Sequence, residues 1–598
     1  MRKPLKPNKT AVILLSLLCA FAVLLALYLA VLAPWFSETD ETPEEPLHTL
    51  PGEGLGITGI SAMMFPKIDR TDIRTIRVWN NYAGGAYETY AFLRDAEDED
   101  GDGDTYDFVI EGFKANPYDE TKLSELVVAV GYTTYTTRLD ALKLSEKSEE
   151  EVLAAYADFG LAPEDHPVYY ELETMDGTVY KVYLGDKTPD GSYYARLEGR
   201  PSVYVVPSST GIALRKPIGY FADPTLTFEA DSQYAYAYIH NFALFRDDTF
   251  ENIFFGEGDG SVGDLTSLSP YVMFTYLKKP DRDVFHANAV YAMLAPVTTY
   301  TPYDGNVDAA LQALPGMTGK EVLKLGLSKE DFAAGGLLEN VAYTIYYEMP
   351  YGITQDKNQD PIVDYWIKNV LFVTPRAADG TYTVGSLSYR EGEKVEIFYN
   401  MIARVDASTL SFVEYSVYDW VEPSMFNISI DNVAGLEFSS ARGDYFYEIM
   451  GDGTADQTVI EKYSGFKYFY KGRNAPFEVN EQGYCEDIDQ FRSLYRLLVE
   501  LEYQGAIAED IDLGEEAIAA IMADDSNCIL SLAVTMEDGR EMTYRFFPYS
   551  ERHSMVSLSG DGIEDVTAFY TLTGAVRRIA EATWQLANGV YIDINHRY

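Results

Sequence analysis

The chain has 598 residues, is 47% hydrophobic and carries a formal net charge of −48. That length accommodates several domains of roughly 100–200 residues each. So negative a field argues against nucleic acid and bare anionic headgroups as partners.

Arg2, Lys3, Lys6 and Lys9 precede Ala11–Ala33, a run without charge or proline. As a helix it would span roughly 34 Å at about 1.5 Å per residue, enough for a hydrocarbon core of about 30 Å. The basic flank keeps the N-terminus on the cytoplasmic side. The expected order is a cytoplasmic tail over 1–10, a single-pass anchor over 11–33 in the lipid bilayer of a bacterial cell envelope, and an extracytoplasmic body. Beyond the anchor, 42 basic residues face 94 acidic ones, a net −52. The alternative is a cleaved signal peptide. Its apolar region is usually about 7–15 residues, and Pro34 directly after Ala33 obstructs cleavage there. Cys19 follows Leu17 and Leu18 inside the apolar run, which does not suit a lipoprotein site. Cys485 and Cys528 can pair, but two thiols do not make a disulfide framework.

Residues 34–59 are expected to be an acidic Pro/Gly linker, with Glu38, Asp40, Glu41, Glu44 and Glu45 between Pro43, Pro46 and Pro51. Gly54, Gly56 and Gly59 match G-x-G-x-x-G. The motif lacks its strand before and helix after, so a dinucleotide site is not expected.

The alternation over Asp72–Trp79 predicts a strand. Residues 86–93 and 105–111 predict a hairpin around the acidic tip 95–104. Asp119 caps a helix carrying Leu123, Leu126, Val127 and Val130 on one face, ended by Gly131. Ser148 and Glu151 form a capping box for a second helix, stopped by Gly160. Strands at 168–172 and 178–184 pair around Asp176-Gly177, and 193–197 and 202–206 continue the meander. Tyr234, Tyr236 and Tyr238 alternate with alanine and read as strand, as does Tyr468-Phe469-Tyr470.

The last third repeats this order. Residues 433–438 match the first strand, and Phe477–Asn480 matches Phe108–Glu111. The helix 487–503 puts Phe491, Leu494, Tyr495, Leu498 and Leu501 on one face. Thr535–Gly539 answers Thr174–Gly177, and a last helix, 574–587, buries Val576, Ile579, Ala580 and Trp584. In the middle third, Trp420–Pro423 matches Phe221–Pro224, and Asp379-Gly380 stands where Asp190-Gly191 does. The expected fold class is α+β: one N-terminal transmembrane helix, then three related units of antiparallel meanders with a few packed helices, over 60–225, 226–424 and 425–598. The period is too long for a solenoid.

In the first unit, Tyr156–Pro163 contains a Gly160-Leu161-x-Pro163 step. Val182-Tyr183-Leu184-Gly185-Asp186 then leads through Thr188 and Gly191 to Tyr193-Tyr194-x-Arg196 and Val203-Tyr204-x-Val206. This set, over about 68–224 and more loosely the last third, resembles the domain-of-unknown-function family numbered 4340. The resemblance implies a membrane-anchored, exported protein. Some members resemble auxiliary subunits of ABC-type exporters, although the fused membrane spans of some relatives are missing here. It implies no catalytic residues. Gly185 and Gly191 suit turns, and Asp186 and Thr188 suit local main-chain bonds.

His48, His166, His240, His286, His553 and His596 form no spaced ligand pair. Ser464-x-x-Lys467 lacks the companion motifs of penicillin-binding catalysis, and neither G-x-S-x-G nor a Walker loop occurs. No enzyme is expected, although paired carboxylates of a glycosidase cannot be sought without a fold. The site candidate is the acidic tip: Asp98, Asp100, Asp102 and Asp104 start a calcium loop, but Val109 stands where a bidentate glutamate belongs. The leading functional expectation is an extracytoplasmic scaffold or accessory subunit, with an ABC-type complex or other envelope proteins as partners. The alternatives are an envelope binding module for polysaccharide or calcium, and an envelope hydrolase.

Overall fold

The computed structural model describes residues 49–594, apart from 56–61, 81–87, 95–107, 114–115, 166, 231–234, 247–268, 283–288, 297, 393–394, 451–466, 471–472 and 475–487. Ala11–Ala33 therefore lies outside the described residues, and no helix within them is long and apolar enough to cross a membrane. The described chain is α+β with antiparallel sheets and a few helices. It divides into two compact units, one of residues up to 107 with 124–216, the other of 108–123 with 217 onward.

In the first unit the sheet runs in the order 88–94, 73–80, 168–174, 179–187, 193–197, 204–206, 137–138. Among its described residues the second unit holds two large sheets, besides a two-stranded ribbon that pairs 354–355 with 361–362. One runs 291–295, 272–276, 240–245, 343–351, 365–373, 381–390, 396–406, 321–325. The other runs 473–474, 467–470, 443–450, 433–440, 530–536, 541–548, 553–560, 563–572, 505–506. All three follow one rule. The first strand in sequence becomes central, and its successors step to one edge. After a helix, a short strand goes to the far edge. A four-stranded meander then fills the gap, starting beside the first strand.

Local chemistry agrees with this rule. Asp119 Oδ1 accepts the main-chain N–H groups of Thr121 and Lys122, opening the helix Glu120–Gly131. Ser148 and Glu151 make a full capping box on Glu149–Ala157. Gly177 and Gly539 both turn hairpins at positive φ, +87° and +86°. Strands 168–174 and 530–536, which lead into those hairpins, bury every second residue. A short 3₁₀ turn precedes each first strand, at Arg70–Asp72, Ala235–Tyr238 and Ile430–Asn432. This corrects the strand expected at Tyr236–Tyr238: the segment occupies the lead-in turn, and Tyr238 packs edge-on against Tyr276. The helix expected at 487–503 spans Ile488–Val499, so Leu501 lies beyond its end yet is still buried. Part of the expected linker is folded: Gly54–Leu55 pairs with Ala62–Met63, which pairs with Thr134–Tyr135.

Within the second unit, two short helices, Ile218–Phe221 and Val417–Trp420, each lead into a crossing segment. After the first, Asp119 N–H bonds Phe221 O, Asp223 N–H bonds Pro117 O, Leu226 N–H bonds Met317 O and Gly319 N–H bonds Pro224 O. After the second, the same bonds run from Tyr303 to Trp420, Glu422 to Thr301, Met425 to Leu501 and Tyr503 to Pro423. Two different sequences thus make one junction.

Trp420 is wholly buried, with the rings of Phe242, Phe274, Tyr415 and Phe412 at 5.5–6.1 Å. Trp420→Ala should cost about 3–5 kcal/mol. Urea unfolding of the full-length protein followed by far-UV circular dichroism checks this; an unshifted transition would show that the ring does not hold the second unit.

Candidate functional site

The family-like residues of the first unit hold a close approach of main chain. Gly160 ends its helix at φ +65°. Strand residue Gly185 lies so near Phe159 that an added Cβ would stand 2.1 Å from its carbonyl oxygen. Asp186 N–H donates to that same oxygen at 2.8 Å. Arg196 stacks its guanidinium 3.6 Å over the Tyr183 ring and donates from Nε to Leu161 O. Thr188 bonds the Asp190 carboxylate beside Gly191, which turns at φ +94°. The motif therefore joins the helix end to the meander. Gly185→Ala should destabilise the first unit by about 1–3 kcal/mol through overpacking, read as a lowered thermal transition.

Glu53 is a functional-looking residue that the sequence did not single out. Its side chain is 0% exposed although it belongs to the acidic stretch expected as linker. Tyr135 and Tyr204 donate hydroxyls to it at 2.9 and 2.8 Å, Arg138 donates from Nη1 at 2.7 Å, and Leu50 donates its N–H at 2.8 Å. Arg200 stands 3.7 Å away and bonds Met64 O and Pro51 O. Burial pushes the carboxyl up. The bonds from Leu50, Arg138, Tyr204 and Tyr135 outweigh it and hold Glu53 below the ordinary glutamate range. Chemically this is a clamp: a buried anion ties the end of the linker to strands 80 and 150 residues later.

Several tyrosines serve as buried rings with tethered hydroxyls. Tyr291, Tyr347 and Tyr447 are wholly or almost wholly buried and donate to the carbonyls of Ala237, Leu314 and Thr583. On the first sheet, Trp79 and Tyr169 stack at 4.3 Å, with Lys181 4.3 Å over Tyr169.

His240 does find neighbours. Its Nδ1 lies 2.9 Å from Thr275 Oγ1, and its ring lies 5.3 Å from that of Trp366. Burial lowers its pKa, Glu348 opposes this and Lys278 adds to it. Glu348 is engaged by Asn241 at 3.0 Å and Tyr346 at 2.7 Å. Its carboxylate thus pins the bulge at 240–243 rather than orienting the imidazole as a base.

A cleft of about 90 Å³ opens in the second unit between the last sheet, the stretch 298–301 and the crossing segment 421–428, lined by Tyr300, Glu422, Met425, Tyr544 and Leu558 among others. Nearby, burial raises Asp304, as do the charges of Asp308 and Glu422, while Arg282 offsets them.

Asp98, Asp100, Asp102 and Asp104 lie outside the described residues, as do Phe477–Asn480, Ser464 and Cys485. Among the described residues no group of three or more acids, histidines or cysteines could hold a metal ion, and Cys528 is a free thiol.

Comparison with known proteins finds one family model, domain of unknown function DUF4340, matching residues 117–290. This supports the family assignment made from the motif at 156–206. The match starts later than expected and continues through the first two strands of the second sheet. Neither the curated proteins nor the solved structures give a match.

Replacing Glu53 by Gln leaves two arginines facing a neutral amide, at a cost of about 3 kcal/mol or more. The wild-type contribution has a definite sign with pH. Because the folded carboxyl is depressed, its stabilisation is present above the unfolded value of about 4.3 and is lost as pH falls through the lower folded value. Hydrogen exchange at the Leu50 and Glu53 amides should accelerate in Glu53→Gln at neutral pH, and in the wild type only under acid. Equal protection in both proteins would refute the clamp.

Proposed function

Taking the DUF4340 match over 117–290 as the premise, we propose that the protein is a single-pass, extracytoplasmic scaffold or accessory subunit. The anchor is Ala11–Ala33, the tail 1–10 is cytoplasmic, and the acidic body faces outward. The body uses one α+β unit three times, over about 60–225, 226–424 and 425–598. The partner that the family resemblance favours is an ABC-type membrane complex.

The observation that carries this proposal is the Glu53 clamp. The chain is fastened to its first sheet directly after the acidic linker, by a buried anion with four donors within 3 Å. A tether fixed so firmly at its base suits a body that must hold position relative to a bilayer. The main-chain junction after Trp420 supports the same role, because within the second unit it joins two sheets by hydrogen bonds rather than by an open linker.

Protease added to intact cells should digest the body and spare a short N-terminal fragment of a doubly tagged protein. Crosslinking in native membranes should then recover integral-membrane partners. A body protected in intact cells but cut in lysates would overturn the orientation. Recovery of the protein alone would overturn the accessory role.

A further inference from the structure

The Glu53 carboxylate is delivered to groups that are held in place without it. Arg138 and Tyr204 are cross-strand partners, and the rings of Tyr135 and Tyr204 meet at 5.0 Å. Arg138 donates to Asp140 from Nε at 2.6 Å and from Nη2 at 3.0 Å, which leaves Nη1 for Glu53. Arg200 is fixed by Met64 O at 2.6 Å and by the Tyr204 hydroxyl at 3.2 Å. None of these bonds involves residues 49–55.

The segment that carries Glu53 is held by less. Pro51, Gly52 and Leu55 are exposed and Thr49 and Leu50 half-buried, whereas the Glu53 side chain is 0% exposed. Gly54 and Leu55 pair with Met63 and Ala62, and Arg200 reaches Pro51 O at 3.4 Å. Gly52 turns at φ +83°, and a Cβ there would stand 2.9 Å from the Arg200 guanidinium; one on Gly54 would stand 2.8 Å from Phe65 O. What enters is therefore a glutamate between two glycines.

We propose that Tyr135, Arg138, Arg200 and Tyr204 form a carboxylate receptor that residues 49–55 plug in cis, and that an acidic peptide presenting a glutamate between glycines takes the plug's place in trans. Two arginines and Asp140 leave the lining one net positive charge, which suits a monoanion. Of the four donors to Glu53, those of Tyr135, Arg138 and Tyr204 belong to the receptor and only the Leu50 N–H belongs to the plug. A foreign carboxylate thus recovers most of the bonding, and a larger flanking residue collides with Arg200 or Phe65. The inference rests on the clamp that carries the accessory role, but it is measured on purified protein, whereas orientation and partners are measured in membranes, so either can fail alone.

Thermal unfolding of the full-length protein in detergent micelles tests it, with propionate as probe and propionamide as its neutral counterpart at equal ionic strength. Glu53→Ala vacates the receptor. Propionate should raise the transition of this variant saturably, half-way at on the order of 1–10 mM as suits so small a ligand, and propionamide should not. Wild type, already plugged, should respond to propionate no more than to sodium chloride. The capped peptide of residues 49–55 should bind Glu53→Ala at least about ten-fold more tightly than propionate, and its glutamine counterpart about ten-fold more weakly than the parent, one charge-assisted contact being worth that factor. Tyr204→Phe added to Glu53→Ala should weaken both ligands. If Glu53→Ala does not fold, Glu53→Gln, which keeps the size of the side chain, is titrated with the two peptides instead. A transition indifferent to propionate, an equal rise with propionamide or in wild type, or equal binding of the two peptides would each overturn the proposal.

Discussion

The crossing segments after Phe221 and Trp420 are the constraint on which the second unit depends. Each must satisfy main-chain groups on both sides at once. One side is the strand-like stretch before a long helix; the other is the stretch before an edge strand of the next sheet. Main-chain N–H and C=O groups removed from water need partners, so after Trp420 the register of one sheet of the second unit fixes where the other can begin. Side chains adapt to that register rather than set it. Phe221 and Trp420 fill the same slot with different rings, and both are wholly buried.

The same logic explains how so acidic a chain buries charge. An isolated carboxylate in a protein interior is costly unless several donors share it. Glu53 meets that condition through residues on three separate segments, at 50, 135–138 and 200–204. Asp331 solves it locally. Its carboxylate accepts the Ser328 N–H at 2.7 Å and the Ser328 hydroxyl at 2.9 Å, and Lys324 donates to both of its oxygens at 2.7 Å. Local capping is cheap in chain entropy, whereas the Glu53 arrangement exists only once the first unit has folded around it.

What was legible in the chain follows that division between local and distant. Hairpins at Asp176-Gly177 and Asp538-Gly539, the capping box at Ser148 and the helix stop at Gly160 are set within a few residues, and the fold realises each of them. The α+β class with antiparallel meanders was legible through such landmarks, because each is set by a few neighbouring residues. The lead-in turn at Ala235–Tyr238 was not, since alternating tyrosine and alanine carries the period of a strand while tertiary position dictates a turn. Glu53 was invisible because nothing in an acidic, proline-rich stretch tells one glutamate from its neighbours. Its identity lies in Tyr135, Arg138 and Tyr204, which no local pattern connects to it. His240 was legible as a lone histidine and no more, since Thr275 and Trp366 reach it only through strand pairing.

The cleft belongs to the illegible class for a further reason. Glu422 sits where Asp223 sits at the earlier junction, and its N–H makes the equivalent main-chain bond. The framework therefore does not require a free carboxylate there. At the earlier junction Asp223 turns its side chain onto Thr225, accepting both the N–H at 2.8 Å and the hydroxyl at 2.6 Å. At the later one Ser424 replaces that geometry by donating its hydroxyl to Val499 O, and Glu422 is left half-buried without a side-chain bond to its own turn. One junction consumes its acid in a local turn, and the other does not. Equal backbones with unequal side-chain bonding show that the junction is held by its main chain, while its side chains are free to diverge.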